Sequence, residues 1–330
     1  MNERITSKLP ASAIGTAVLV AAVWGFNFVV IKVGVSGVPP LMLAALRFVF
    51  CVFPAIFFVK RPAVPWKSLA AYGLSLGVGE FGLLFTAIKL GAPAGLASIL
   101  LQSQAFFTAL LAAVFLREKL RAPSVAGLAL AAAGLALFSL GSGSGRIGLP
   151  LLFMILGAGL GWAGANVFAR SMSGVNSLGL MVWSSLFSPL PLALLSLFFE
   201  GPSAIAGAFA GIGPLTIACL AYLVILSTML GYGLWNSLIL RHGAARIAPF
   251  SLMVPVFGMA SAALVFGERL RPLDAAGSAL IALGLLVHVF GPRLALREQG
   301  GRAGVPAAAP GPESRSSDGK PGQDPRPGSL

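Results

Sequence analysis

Charged residues interrupt this chain so rarely that the interruptions define its pattern. No Asp, Glu, Lys or Arg occurs from Leu9 to Ile31, Leu90 to Leu116, Ala122 to Gly145, Ile147 to Ala169 or Ser171 to Phe199. A bilayer core takes about 20 apolar residues per helix, so runs of this length predict membrane spans. Turn-forming sequence at Gly37–Pro40, Arg61–Pro65, Gly91–Pro93, Gly141–Gly145 and Gly211–Pro214 separates them. The reading is an all-α membrane protein of ten transmembrane helices, at 13–33, 41–59, 69–88, 94–116, 124–141, 149–169, 177–199, 213–237, 247–267 and 272–290. The first run is too long for a cleaved leader and carries Trp24 and Asn27 late. Residues 297–330 are rich in Pro, Gly, Ser and charge and read as a disordered tail.

The chain also repeats itself. Residues 118–135, EKLRAPSVAGLALAAAGL, and 268–285, ERLRPLDAAGSALIALGL, share ten of eighteen positions without a gap. Tyr72 and Tyr222 keep the same spacing of 150. With a smaller offset, Trp24, Asn27 and Lys32 parallel Trp162, Asn166 and Arg170. Five predicted spans separate the copies, and an odd number turns the second copy upside down. The reading is therefore two inverted five-helix repeats, 13–141 and 149–291, flanked by a cytoplasmic N-terminus at 1–12 and a cytoplasmic tail at 297–330.

Composition removes the soluble alternatives. The chain is 57% hydrophobic and 10% charged, whereas soluble domains carry about 25% charge. The net charge of +13 does not signal nucleic-acid binding, because Lys and Arg are dispersed between spans. With the N-terminus inside, eleven basic residues of the short connections fall on the cytoplasmic side and five outside, which places both termini in the cytoplasm. Cys51 and Cys219 both lie in apolar runs and make neither a disulfide framework nor a metal site alone. No cofactor and no metal are expected. Gly159, Gly161 and Gly164 spell GxGxxG, but mid-span with no preceding strand; the Gly157 to Gly161 spacing suits close helix packing instead. There is no GxxxxGK[ST] run for ATP.

The run WGFNFVVIKVG at 24–34, LAALRF at 43–48, and the REKLR and GERLR motifs at 117–121 and 267–271 resemble the EamA family of the drug/metabolite transporter superfamily. The family's two five-helix repeats match the pattern above. Within it, the runs at 39–62, 91–111 and 246–264 look most like members that export O-acetylserine and cysteine. The resemblance implies export of cysteine-pathway amino acids or derivatives across the inner membrane. The wider superfamily leaves export of other metabolites or drugs as the alternative.

Candidate site residues follow from the cost of polar groups in hydrocarbon. Glu80 and Arg47 lie within the third and second spans at similar depth. One reading is a buried salt bridge fixing two helices. The other has Glu80 bind a substrate ammonium group or carry a coupling proton. Neither has a counterpart in the second repeat, where Leu230 and Leu197 stand. Asn27, Asn166 and Asn236, with Trp24, Trp162 and Trp235 nearby, are either interhelical hydrogen bonders or a polar and aromatic lining for a zwitterion. Gln104 and Thr108 share a helix face and are cavity-lining candidates, while Gln102 lies off that face. The prolines at 249 and 255, and at 189 and 191, kink their spans. Glu118 with Arg121, and Glu268 with Arg271, read as structural motif, with each glutamate paired locally to Lys119 or Arg121 and to Arg269 or Arg271. Lys32 is expected to snorkel to the interface.

Three functions compete. A secondary transporter has a small-molecule substrate, membrane lipid as its solvent, and either a proton or the substrate's own gradient as its drive. A membrane enzyme needs clustered carboxylates or histidines, and no two acidic residues before the tail lie close in sequence. A non-transporting scaffold has no need of inverted symmetry. Transport, without enzyme activity, is the reading that uses every feature.

Overall fold

A computed structural model of the protein describes residues 9–118, 122–141, 147–172, 174–269 and 271–302. The chain divides into one large unit, Met1–Pro292, and a second, Arg293–Leu330, in which 293–302 are helical. Among the described residues there is no strand. Helices group along the chain as α1 (Ala11–Gly37), α2 (Pro40–Phe57), α3 (Trp66–Lys89), α4 (Ala94–Phe115), α5 (Ala122–Gly141), α6 (Leu149–Ser171), α7 (Ser177–Phe199), α8 (Pro214–Ile239), α9 (Pro249–Phe266) and α10 (Pro272–Arg302). Eight of these are long and apolar enough to cross a bilayer. In α5 and α10 the qualifying stretches are shorter, Val125–Leu137 and Pro272–His288. Helix α10 continues to Arg302, past the point where the tail was expected to begin; residues 303–330 lie outside the described part.

The repeats pack as a pseudo-two-fold pair. The backbone of Gly127 in α5 closes on that of Gly284 in α10, and Gly134 closes on Gly277. Gly277 and Gly284 are the repeat equivalents, 150 positions on, of Gly127 and Gly134. A contact in which each residue meets the other's equivalent is the mark of a two-fold interface. The glycines of the sequence echo thus form a seam where Cβ atoms do not fit.

Helix directions give the inversion directly. Gly79 and Gly161 touch backbone to backbone, Ser75 lies at Gly164 and Leu83 at Gly157, so α3 and α6 are antiparallel. Lys89 Nζ donates to the Val35 carbonyl at 2.6 Å, while Glu80 and Asn27 share one cavity, so α3 and α1 are parallel. The first helices of the two repeats, α1 and α6, therefore run in opposite directions. Each packs along the fourth helix of the other repeat: Gly25 against Phe257 and Gly258 of α9, and Gly159 against Ser103 and Gln104 of α4.

Matched breaks in helical geometry reinforce the duplication. Helix α3 passes through a π segment, Ser75–Gly82, and α8 through another, Tyr222–Leu230. Helix α4 tightens to a 3₁₀ turn at Leu101–Ser103 and the chain entering α9 does so at Ala248–Met253, where Pro249 removes a donor. Helix α7 breaks after Ser185 and resumes at Pro189, as the prolines there predict. The wider π turn displaces the side chains that follow it from α-helical register, and such turns are frequent at functional sites.

Candidate functional site

Membrane helices of both repeats converge polar residues on one small cavity of about 50 Å³ within the large unit. Trp24 and Asn27 come from α1, Arg47 from α2, Glu80 and Phe81 from the π segment of α3, and Ser227 and Tyr232 from α8. Gln102 of α4 and Trp162 of α6 complete the polar and aromatic wall. Both π segments feed the site, and Arg47 and Glu80 are only 1% and 3% exposed.

Arg47 and Glu80 share this cavity but not a salt bridge, which overturns the expectation of a direct pair. The guanidinium Nη2 and Nε instead donate to Thr228 Oγ1, at 2.9 and 3.3 Å. Its plane lies 3.9 Å from the centroid of the Phe81 ring, a cation–π contact that stabilises a charge removed from water. Thr228 Oγ1 donates in turn to the Leu223 carbonyl at 2.7 Å. That leaves Arg47 Nη1, Glu80 Oε2 and Asn27 Oδ1 buried without a hydrogen-bond partner. An unsatisfied buried polar group costs about 1–3 kcal/mol, and more when charged. Around this one cavity the three are a donor and two acceptors.

The other candidates divide. Trp24 donates from Nε1 to the Ser227 carbonyl at 2.9 Å and packs at a tilt against the rings of Tyr232 and Trp235. Asn166 does not join the cavity: its Nδ2 donates to Gln104 Oε1 at 3.0 Å and Thr108 Oγ1 at 3.1 Å. This network bonds α6 to α4, the interhelical alternative, and removes Gln104 and Thr108 from the cavity lining. Gln102, off their face, lines it instead. The side chain of Asn236, and Arg121 with Lys119, lie outside the described residues. Ser227, Tyr232 and Thr228 were missed by sequence reasoning; Tyr222, at its spacing of 150 from Tyr72, and the candidates Trp235 and Asn236 pointed to that helix but not to these residues.

The repeated glutamates find partners across the repeats where local ones were expected. Glu268 binds Lys32 at 2.7 Å, so Lys32 is engaged and does not snorkel, and Glu118 binds Arg170 at 3.0 Å.

A larger depression of about 860 Å³ lies on the far face of α3, between Leu41, Val78, Leu83, Met154 and Phe199. It is not the site. Its ionisable groups are already engaged, with Lys89 on the Val35 carbonyl and Glu200 accepting the N–H groups of Leu41 and Met42.

Two inverted helical repeats around a central polar cavity define a membrane transporter. Residues 11–140 and 149–290 each match the EamA-like transporter family, and the chain belongs to that family. It is 46% identical over 283 residues, covering 84% of this chain and 95% of the relative, to a protein of Salmonella typhimurium named probable amino-acid metabolite efflux pump. It is 45% identical over 282 residues, covering 84% and 94%, to a protein of the same name from Escherichia coli. A probable terminal-alkyne amino-acid exporter of Streptantibioticus cattleyicolor is 25% identical over 287 residues, covering 84% and 93%.

Proposed function

We propose that this chain is a secondary transporter exporting small zwitterionic amino acids or their derivatives, with the cavity between Arg47 and Glu80 as the substrate site. One observation carries the reading: the unpaired atoms at the cavity are one cationic donor and two acceptors. An α-amino acid presents the complement on a single carbon, a carboxylate for Arg47 Nη1 and an ammonium group for Glu80 Oε2 and Asn27 Oδ1. Trp24 and Trp162 then wall the side chain. The names of the relatives point to the same substrate class, and cysteine and O-acetylserine are the first to test.

A cavity of about 50 Å³ is too small for an amino acid, so this is an occluded form and transport requires the repeats to move apart. The family's inverted halves, 13–141 and 149–291, supply that motion by exchanging conformations about the centre. The Lys and Arg bias supports an inner-membrane protein with both termini cytoplasmic. Proton antiport through Glu80 and efflux down the substrate's own gradient both use this site; no catalytic step and no cofactor enter.

The test is counterflow in proteoliposomes with labelled cysteine, O-acetylserine and other amino acids, beside the corresponding amines and carboxylic acids. Zwitterions should exchange, and compounds lacking either charged group should not. Equal exchange of an amine and its parent amino acid would remove the reading.

A further inference from the structure

Two ion pairs tie the repeats together outside the substrate site. Lys32 Nζ lies 2.7 Å from Glu268 Oε1, and Arg170 Nη1 lies 3.0 Å from Glu118 Oε2. They are equivalents. Glu118 and Glu268 stand 150 positions apart. The backbone N–H of each donates to the sixth residue back, Ala112 or Ala262. The preceding residues, Arg117 and Gly267, have φ of 55° and 64°. Lys32 follows Trp24 by eight positions and Arg170 follows Trp162 by eight. Both tryptophans line the central cavity. Since α1 and α6 are antiparallel, the pairs sit on opposite sides of the cavity, each about 12 Å from it at 1.5 Å per residue. Each joins the turn after the fourth helix of one repeat to the first helix of the other.

We propose that these pairs are the two gates of the transport path: Lys32–Glu268 shuts one mouth, Arg170–Glu118 shuts the other, and they open alternately. This rests on the alternating-access reading above. At the Lys32 end the path can be traced. A vestibule of about 340 Å³ runs from Glu268 and Phe266 down to Leu96 and Met259. On the same helices Leu101 and Val254 line the central cavity. Five residues, about 7.5 Å of helix, separate the two spaces. They are sealed where Gly258 meets Ser98 so closely that a Cβ would lie 2.5 Å from its hydroxyl.

The gates differ in build. Glu268 also accepts the N–H groups of Ala94 and Gly95, both at 3.0 Å, and Lys32 lies 4.3 Å from the Phe266 ring centroid. The side chains of Lys32 and Glu268 are 33% and 18% exposed, against 52% and 53% for Arg170 and Glu118. Water screens an exposed pair, whereas a shielded and multiply bonded one holds. The Lys32 mouth is therefore the tighter, and with both pairs made the cavity between them is occluded.

The test reads solvent access, not transport. In the full chain with Cys51 and Cys219 replaced by alanine, Met259→Cys reports the Lys32 mouth. Its repeat equivalent, Ala109→Cys, reports the other. Each is labelled with a membrane-impermeant maleimide in vesicles of known orientation. Glu268→Gln should speed labelling at 259 by about threefold or more, as expected for a shifted two-state equilibrium, without speeding it at 109. Glu118→Gln should do the reverse. If Glu268→Gln fails to reach the membrane, Lys32→Gln opens the same gate and spares the bonds to Ala94 and Gly95. The exchange Arg170→Glu with Glu118→Arg should restore slow labelling. Acceleration at the same position by both gate variants, or no change at either, overturns the proposal. Labelling needs no substrate. Opposite shifts without amino-acid transport would leave the gates and remove the substrate reading; transport with unshifted labelling would do the opposite.

Discussion

Replacing Arg47 by glutamine tests the proposed carboxylate recognition separately from folding. A buried arginine usually cannot be removed cleanly, because its partners are left stranded. Here the recipient of both its hydrogen bonds, Thr228 Oγ1, keeps its own bond to the Leu223 carbonyl. The variant also removes a charge whose Nη1 had no partner. Loss of the stacking on Phe81 costs about 0.5–2 kcal/mol by typical cation–π values, offset by relief of a buried charge. We predict normal abundance in the membrane. A hydrogen bond to a charged group contributes about 1.5–3 kcal/mol, and 1.4 kcal/mol is tenfold, so apparent substrate affinity should fall by about 10- to 150-fold. The assay is the concentration dependence of amino-acid counterflow in proteoliposomes, together with its inhibition by the corresponding amine, which binds through its ammonium group without being exchanged. The amine lacks the group that Arg47 binds, so the substitution should not weaken it further. Wild-type concentration dependence for the amino acid refutes the assignment, as would equal losses for both compounds.

The same geometry sets three further outcomes. Glu80→Gln keeps the side chain's shape and removes its charge; transport should fall at least tenfold, by the scale of a charged hydrogen bond, and lose its pH dependence, and a wild-type rate and pH profile would exclude a role in ammonium binding or proton coupling. Gly161→Val drives a side chain into the backbone of Gly79; overpacking costs about 1–3 kcal/mol, so the melting temperature in detergent should drop, and an unchanged one would contradict the packing. Asn166→Ala strips Gln104 and Thr108 of a shared donor; about 1–3 kcal/mol of stability should be lost with substrate affinity unchanged, and a purely affinity-based defect would return Asn166 to the site.

The sequence echo was legible because an interface written twice must satisfy itself twice. Gly127 and Gly134 survive in the second copy as Gly277 and Gly284, since each closes on the other copy's backbone. The apolar helices and their order were legible for the simpler reason that charges are excluded from hydrocarbon, although among the described residues eight of the ten expected spans are long and apolar enough to cross a bilayer. The cavity was half legible. Arg47, Glu80, Asn27, Trp24 and Trp162 stand out as polar or large groups in apolar runs, and all five line it. Which groups bond which was not legible, and the π segments explain why. Helical reasoning assigns faces at 3.6 residues per turn, and each residue added by a wider turn rotates the rest of the helix by roughly 100°. Glu80 and Ser227 sit inside such segments and Tyr232 just beyond one, so spacing alone could not fix their facing. The same limit misplaced Gln102 and Gln104, the first inside a 3₁₀ turn and the second just after it. The glutamates of the echo failed differently. Their neighbours in sequence are basic, but the inverted packing brings the first helix of the opposite repeat within reach. Duplication thus makes the frame symmetric, and the chemistry enters where symmetry is broken: Arg47 spans to Thr228 of the other repeat, and Glu80 has only Leu230 as its counterpart. A zwitterion has two unlike ends, and a site built from two like halves could not tell them apart.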